Sequence, residues 1–143
     1  MMNDKLIQIF FDSSLTSKAE VFQLIAEQAN PAKKEELYNL LQNRETVGST
    51  LIAENIVLPH LESEAVLKSQ VLFLKFRQEI DWGEQTGPVK LAIAIILKKQ
   101  EEQAVKVAIS QLTRTLADEE YLAELLLAEE PEAFNQLIRR KHE

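Results

Sequence analysis

The two histidines of the chain, His60 and His142, and its lack of cysteine narrow the chemistry that it can perform. A neutral imidazole is available as a nucleophile or as a base near pH 7. A chain without cysteine has no disulfide, no thiolate nucleophile and no cysteine-bound zinc or iron–sulfur site. Two histidines also leave little room for a histidine metal cage, so any histidine chemistry must be done by very few residues.

The sequence surroundings of the two histidines differ. His60 follows Pro59, which rigidifies the backbone and ends the short apolar stretch 56–58. We therefore predict that the scaffold presents this imidazole at a defined position. The alternative is that His60 is an ordinary residue at the surface or at a sheet edge. His142 lies in a charged terminal run, and we expect its side chain to be solvated.

The segment 44–60 is the candidate site, because signatures of metal sites, glycine-rich phosphate loops and Ser-His-Asp triads are absent from the sequence. In this segment the planar guanidinium of Arg44 could hold phosphate oxygens. The hydroxyl of Thr50 could donate one hydrogen bond. The alternatives are that Arg44 is a helix-end arginine paired with Glu45 or Glu54, and that Thr50 caps the backbone.

Motifs spread over about the whole chain carry a family resemblance. They are Arg44-Glu45, Ser49-Thr50, Pro59-His60, the turn Ile80-Asp81-Trp82-Gly83, the strand after Pro88 and the late helix with Leu112, Leu116 and Asp118. A Pro-His pair alone is weak evidence for a family. The number of residues between Arg44-Glu45 and Pro59-His60, together with the later turn, is a specific signal. Together they resemble the enzyme IIA domains of the bacterial phosphoenolpyruvate-dependent sugar phosphotransferase system, mannitol–fructose type.

The resemblance implies that His60 carries a phosphoryl group. It would accept the group from the carrier protein HPr and pass it to a IIB domain, which can belong to a permease with a membrane IIC component, for sugar uptake. In such domains Nε2 is usually the nucleophile, while the other ring nitrogen donates to a backbone carbonyl. Arg44 would stabilise the phosphate and Thr50 would donate a hydrogen bond to the site. Neither a cofactor nor a metal is implied.

Departures from the family pattern point to an alternative function. Leu61 follows the histidine where glycine or alanine is usual, and Ala53 and Asn55 replace glycines. Many relatives carry a second histidine after the buried strand, but 98–105 has none. Gln103 could offer a hydrogen bond there but no charge. The alternatives are a IIA-like regulatory domain, whose phosphorylation on His60 controls a transcriptional or other partner, and a domain that has lost transfer.

Composition limits the partners and the location. The net charge is −7, from 16 basic and 23 acidic side chains, which argues against direct binding of nucleic acid. The apolar run 91–97 is far too short to cross a bilayer, and the N-terminus lacks the features of a signal peptide. We therefore expect a cytoplasmic protein that does not insert into membranes. Apolar Leu58 and Leu61 could form a partner-contact ring around the histidine or simply pack in the core.

The order of strands and helices predicts how the candidate segment is held. Strands are expected at 5–11, 69–77 and 89–97, where β-branched and aromatic residues concentrate. Helices are expected from the capping box at 17–20 to about 28, from Asn30-Pro31 to about 44, at 101–116, at 118–128 and from 130 onward. This order predicts an α/β fold, a three-layer α/β/α domain with a mixed sheet, and one IIA-like domain over 1–143.

Overall fold

The computed structural model describes residues 5–142, and within them six strands and five helices form. The strands are β1 (Ile7–Ser13), β2 (Leu51–Ala53), β3 (Ile56–Val57), β4 (His60–Ser63), β5 (Gln70–Asp81) and β6 (Pro88–Lys98). The helices are α1 (Lys18–Ala29), α2 (Lys34–Val47), α3 (Gln103–Thr115), α4 (Glu119–Leu127) and α5 (Pro131–Lys141), with a 3₁₀ turn at Pro31–Lys33 before α2.

The sheet is mixed, as predicted. Strand β1 pairs in parallel with β5, which pairs antiparallel with β6. The other side of β6 carries two short strands, β3 and β4, both parallel to it, and β2 extends the edge by pairing antiparallel with β3. Since β3 and β4 share one side of β6, they lie end to end, and this junction is where the candidate segment sits.

Two apolar cores, one on each face of the sheet, make the domain three layers thick. Helices α1 and α2 cover the first face with residues such as Phe22 and Leu37. Helices α3, α4 and α5 cover the second face with residues such as Ile109 and Phe134. From Leu91 to Ile96, residues of β6 alternate between the two cores because successive side chains in a strand point to opposite faces. The predicted α/β/α architecture is thereby confirmed.

Most helix starts follow local signals. The backbone N–H of Glu20 donates to Ser17 Oγ at 3.1 Å, and the Glu20 carboxylate accepts from the N–H of Thr16 at 2.8 Å, one residue before the expected partner of a capping box. The side chain of Asp118 caps α4 in the same way. Asn30 accepts from the N–H of Ala32, but it caps the 3₁₀ turn rather than α2 itself.

Several element boundaries differ by a few residues from the sequence prediction, and two of the differences arise from pairing with β6. The short extended segment does stop before Pro59, but His60 then begins β4, because the chain resumes pairing with β6 directly after the proline. Ile80 and Asp81 do not begin a turn but pair with Val89 and Pro88, so β5 reaches Asp81. In both places long-range pairing with β6 extends the strand beyond its local apolar pattern.

The expectation that His142 is solvated is wrong. Its side chain is buried, its ring packs near Phe73, and Nε2 lies 3.0 Å from the hydroxyl oxygen of Tyr121. Removal from water disfavours the charged imidazolium and lowers the pKa of His142 to about 4. Burial also raises the pKa of Tyr121. The charged neighbours in the sequence therefore give no indication of where this ring packs.

Candidate functional site

His60 lies at the junction between β3 and β4. Ile56 and Val57 of β3 pair with Leu91 and Ala92, and β4 resumes the pairing when His60 reaches Ile95. The backbone N–H of Ile95 donates to the carbonyl of Pro59 at 2.9 Å, so the pairing bridges the proline. The strand break thus occurs just before the histidine, whose backbone is held by β6.

The alternation of β4 determines which way His60 faces. Leu61 is 2% exposed and packs in the core under α1 and α2, whereas His60 is exposed. The imidazole therefore lies on the opposite face, toward α3. A bulky residue after the histidine is accommodated because it enters the core. Leu61 therefore packs in the core and does not belong to a partner-contact ring around the histidine. Leu58, in contrast, lines the groove that contains His60.

The side chain of His60 lies in a groove of about 620 Å³. The groove is bounded by the C-terminal end of α2, the start of β4 and one side of α3. Its walls include apolar residues of β6 and of the 51–58 segment. The ionisable residues that line it are Arg44, His60 and Lys106. Among the described residues that line the groove there is no carboxylate, although the chain as a whole is acidic. This local charge favours an anion.

Arg44 comes from the last turn of α2. Its Nη1 donates to the carbonyl oxygen of Gly48 at 3.1 Å, which ties the loop back to the helix end. Among the described residues it has no ion pair with Glu45 or Glu54, the partners considered in the alternative interpretation. A guanidinium group has five N–H donors, so most remain available to a ligand in the groove.

Glu45, the neighbour of Arg44, does not line the groove and instead holds the 44–50 segment through its own hydrogen bonds and ion pair. Its carboxylate accepts from the hydroxyl of Thr50 at 3.2 Å and from Nε1 of Trp82 at 3.2 Å, and Lys18 Nζ lies 2.8 Å from it. The side chain of Glu45 is only 8% exposed. One carboxylate thus joins α1, α2, the 49–50 loop and the turn after β5.

From the sequence, Glu45 is expected only as a motif residue and as an alternative ion-pair partner of Arg44, and Trp82 has no assigned role. The pairing of Glu45 with Trp82 depends on the turn after β5 returning to the end of α2, and no local pattern predicts that contact.

Thr50 lines the groove but is already engaged. Its residue is 8% exposed, its hydroxyl donates to Glu45, and its carbonyl accepts from the N–H of Leu58 at 2.9 Å. The structure thus brings Thr50 together with Arg44 and His60, while directing its hydroxyl hydrogen toward Glu45 rather than into the groove.

The hairpin in front of the histidine is anchored by Asn55, one of the residues that replace the usual glycines. Asn55 has φ of 70°, a left-handed conformation that asparagine tolerates better than most residues. Its side chain donates to the carbonyl of Pro88 at 2.9 Å, and its own carbonyl accepts from the N–H of Lys90 at 2.8 Å. Asn55 therefore holds the backbone of the turn and attaches the hairpin to β6.

The opposite wall of the groove is built by α3. Lys106, Ile109, Ser110 and Thr113 line it, as expected for residues three and four apart on one helical face. Gln103, which the sequence offered as a source of a hydrogen bond, is not among the lining residues. A charge is nevertheless present, because Lys106 lies one residue beyond the 98–105 stretch that lacks a second histidine.

The imidazole of His60 is unencumbered. Neither of its ring nitrogens forms a hydrogen bond with any residue between 5 and 142, so the expected bond to a backbone carbonyl is not present in this structure. An exposed ring in a basic groove is suited to attack an electrophilic phosphorus that carries anionic oxygens. Within the described range no three metal-ligating side chains cluster, and no helix there has the length and apolarity to span a bilayer.

Known proteins share this fold over nearly its full length. Nitrogen regulatory protein IIA-Ntr from Neisseria meningitidis superposes with a TM-score of 0.74 at 16% identity, covering 96% of this chain and 99% of that one. Enzyme IIAMTL of Escherichia coli, solved in complex with phosphorylated enzyme IIBMTL, gives a TM-score of 0.68 at 24% identity, with 94% and 99% covered.

Sequence comparison identifies the family. The chain is 23% identical over 137 residues to a multiphosphoryl transfer protein of Escherichia coli. The aligned region covers 93% of this chain but only 16% of that protein's length. The family model described as phosphoenolpyruvate-dependent sugar phosphotransferase system, EIIA 2, matches residues 3–141. The exposed histidine in its basic groove thus lies in a chain that belongs to the EIIA 2 family of the sugar phosphotransferase system.

Proposed function

We propose that this chain, as a single IIA-like domain over 1–143, is a phosphohistidine carrier. It accepts a phosphoryl group from HPr on His60 and passes it to a IIB domain for sugar uptake. The observation that carries the proposal is the exposed imidazole in a groove whose ionisable lining is entirely basic. A cytoplasmic location follows from this role, because the phosphoenolpyruvate that supplies the relay is a cytoplasmic metabolite.

In the transfer step, bonds to phosphorus are made and broken only at the two imidazoles. The lone pair of one ring nitrogen of His60 forms a new P–N bond while the P–N bond to the donor histidine breaks. The electron pair of the broken bond returns to the donor imidazole. The other ring nitrogen of His60 releases its proton, and the donor ring takes one up. The reverse sequence hands the group to a thiolate of a IIB domain, where a P–S bond replaces the P–N bond.

Arg44 stabilises the group during this exchange. Its guanidinium lies in the same groove as His60 and keeps donors that are not used by Gly48. Charge on the equatorial oxygens of the phosphoryl group is best offset by donors that are already in place before transfer. The hydrogen bond to the Gly48 carbonyl holds the guanidinium of Arg44 in place. Less conformational entropy is therefore lost when this side chain binds the phosphoryl group.

Partner proteins contact the apolar rim of the groove. Leu51 and Ile52 are 41% and 38% exposed and line the groove beside His60, and Val47 at the end of α2 is 81% exposed. Exposed apolar residues around a reactive group are typical of a docking face. The solved complex of IIAMTL with phosphorylated IIBMTL supports a IIB domain as one partner.

The proposal is tested by phosphorylation of the purified protein. Phosphoenolpyruvate, enzyme I and HPr should add one phosphoryl group, seen by intact mass and lost on mild acid treatment. His60→Gln should abolish the addition. Glu62→Gln, which changes an exposed residue two positions further along β4, should not. A His60→Gln protein that still acquires acid-labile phosphate, or a native protein that acquires none, would refute the carrier role.

A regulatory function is the second candidate, and the similarity of the fold to the nitrogen regulatory protein IIA-Ntr favours it. A regulatory domain should accept phosphate from HPr yet deliver it poorly to any IIB domain. Adding purified IIB domains to the phosphorylated protein separates the two functions. Rapid loss of phosphate from His60 to a IIB thiol supports transport, and retention of phosphate across a panel of IIB domains supports regulation.

A further inference from the structure

We propose that Lys106 is a phosphate-binding residue of the groove and contacts the phosphoryl group while it is carried by His60. This inference rests on the proposed function of His60. It assigns the second positive charge of the site to a residue of α3, where the sequence between 98 and 105 offers no histidine.

The position of Lys106 supports this role. It lines the same groove as His60 and Arg44, but from the opposite wall. Ser110, one helical turn further along α3, lies on the same face and offers a hydroxyl beside it. An anion on the imidazole would therefore have the guanidinium of Arg44 on one side and an ammonium on the other.

The charge of Lys106 is not neutralised inside the protein. Among the described residues it forms no ion pair, and its side chain is exposed. The hydrogen bonds from Ser69 and Glu102, and to a smaller extent the charges of Lys98 and Lys106, lower the pKa of Glu101. Both oxygens of Glu101 are already bound, one to the hydroxyl of Ser69 at 2.6 Å and the other to the N–H of Glu102 at 2.8 Å. Lys106 is thus free to turn toward a ligand.

The groove needs a second cation on electrostatic grounds. A phosphoryl group brings roughly one and a half to two negative charges near neutral pH. Arg44 supplies one positive charge and gives one of its donors to Gly48. The net charge of the chain is −7, so the protein as a whole does not attract an anion to the groove. Besides Arg44 and the histidine itself, Lys106 is the other basic residue among the lining residues.

A lysine at this place has a consequence that an imidazole would not have. An ammonium group keeps its charge throughout the pH range in which histidines titrate, and its four-carbon chain lets it follow the phosphoryl group. Because Lys106 meets the anion only in the phosphorylated protein, its contact favours that state. The equilibrium between phospho-HPr and this domain should therefore shift toward the domain.

The test compares three variants with the native protein. Lys106→Met removes the charge and keeps the length, Lys106→Arg keeps the charge, and Lys99→Met removes an exposed lysine outside the groove. Each is mixed with an equal amount of phospho-HPr after enzyme I is removed, and the distribution of phosphate is read by intact mass. Lys106→Met should move the equilibrium toward HPr by about tenfold or more, as expected for a hydrogen bond to a charged group.

The outcomes are distinguishable from failure of the carrier role. A native protein that is phosphorylated, with Lys106→Met and Lys99→Met at the native equilibrium, overturns the role of Lys106 and leaves that of His60 intact. Rescue by Lys106→Arg supports a charge contact. Inorganic phosphate gives a readout that does not need transfer: it should shift the ring resonances of His60 less in Lys106→Met than in the native protein, and equal shifts would overturn the proposal.

Discussion

Replacing Glu45 by alanine should destabilise the domain and slow phosphoryl transfer together. The carboxylate of Glu45 is the shared acceptor for the hydroxyl of Thr50 and the indole N–H of Trp82, and it is paired with Lys18. Thr50 and Trp82 are 8% and 3% exposed, so little water can replace the lost acceptor. The same carboxylate holds the segment from which Arg44 enters the groove.

The magnitude follows from the burial of the three partners. A buried donor left without an acceptor costs about 1–3 kcal/mol, and two such donors result from Glu45→Ala. Lys18 is 28% exposed and can turn toward water, so its loss adds little. We expect the free energy of unfolding to fall by about 2–6 kcal/mol. Glu45→Gln keeps one carbonyl acceptor and should cost about half as much.

The assay is urea unfolding, followed by a rate measurement of transfer from phospho-HPr at a temperature where every variant is folded. Glu36→Gln serves as the control, because it changes an exposed carboxylate on the same helix. Glu45→Ala should slow transfer even in the fully folded state, since Arg44 and Thr50 lose their support. Unfolding free energies for Glu45→Ala and Glu36→Gln that agree within about 0.5 kcal/mol would refute the reasoning.

Three other predictions test the remaining parts of the structure. Arg44→Ala should slow transfer from phospho-HPr roughly a hundredfold, as for loss of a preorganised donor, whereas an unchanged rate in a quenched-flow experiment would remove that role. The folded-state pKa of His142, about 4, lies below its ordinary value of 6.5, so its contribution to stability is complete above pH 6.5 and is lost as pH falls toward 4. Urea unfolding should show a loss of up to about 3 kcal/mol over that interval, and His142→Gln should flatten this part of the profile. Asn55→Ala should lower the free energy of unfolding by about 1–2 kcal/mol because alanine disfavours positive φ and lacks the bond to Pro88, while Asn55→Gly should cost less; equal costs would show that the backbone conformation is not limiting.

Local signals in the sequence were sufficient for most elements. Ser17 with Glu20, and Asp118 at the start of α4, act over three residues, so their hydrogen bonds can be predicted without knowing the fold. The apolar run of β6 likewise indicates a strand covered on both faces. The three-layer architecture follows from the order of such elements, and it was predicted correctly for that reason.

Burial and strand limits depended on distant residues. His142 sits among charged neighbours in the sequence, yet α5 carries it against Tyr121 and Phe73. The continuation of β5 to Asp81 and the start of β4 at His60 both depend on the length of β6, with which they pair. These contacts join residues that are far apart in the chain, and no window of a few residues contains the information.

By itself the sequence limited the chemistry available to this protein: a chain with no cysteine, two histidines and a motif around His60 offers one evident candidate for a phosphoryl carrier, with Arg44 in the same motif. Only the tertiary structure decided the electrostatic surroundings of that histidine. It placed Glu45 behind the site and brought Lys106 from α3 into the groove. The physical reason is that electrostatic interactions depend on distance in space, so a net charge of −7 does not reveal a groove whose ionisable lining is basic.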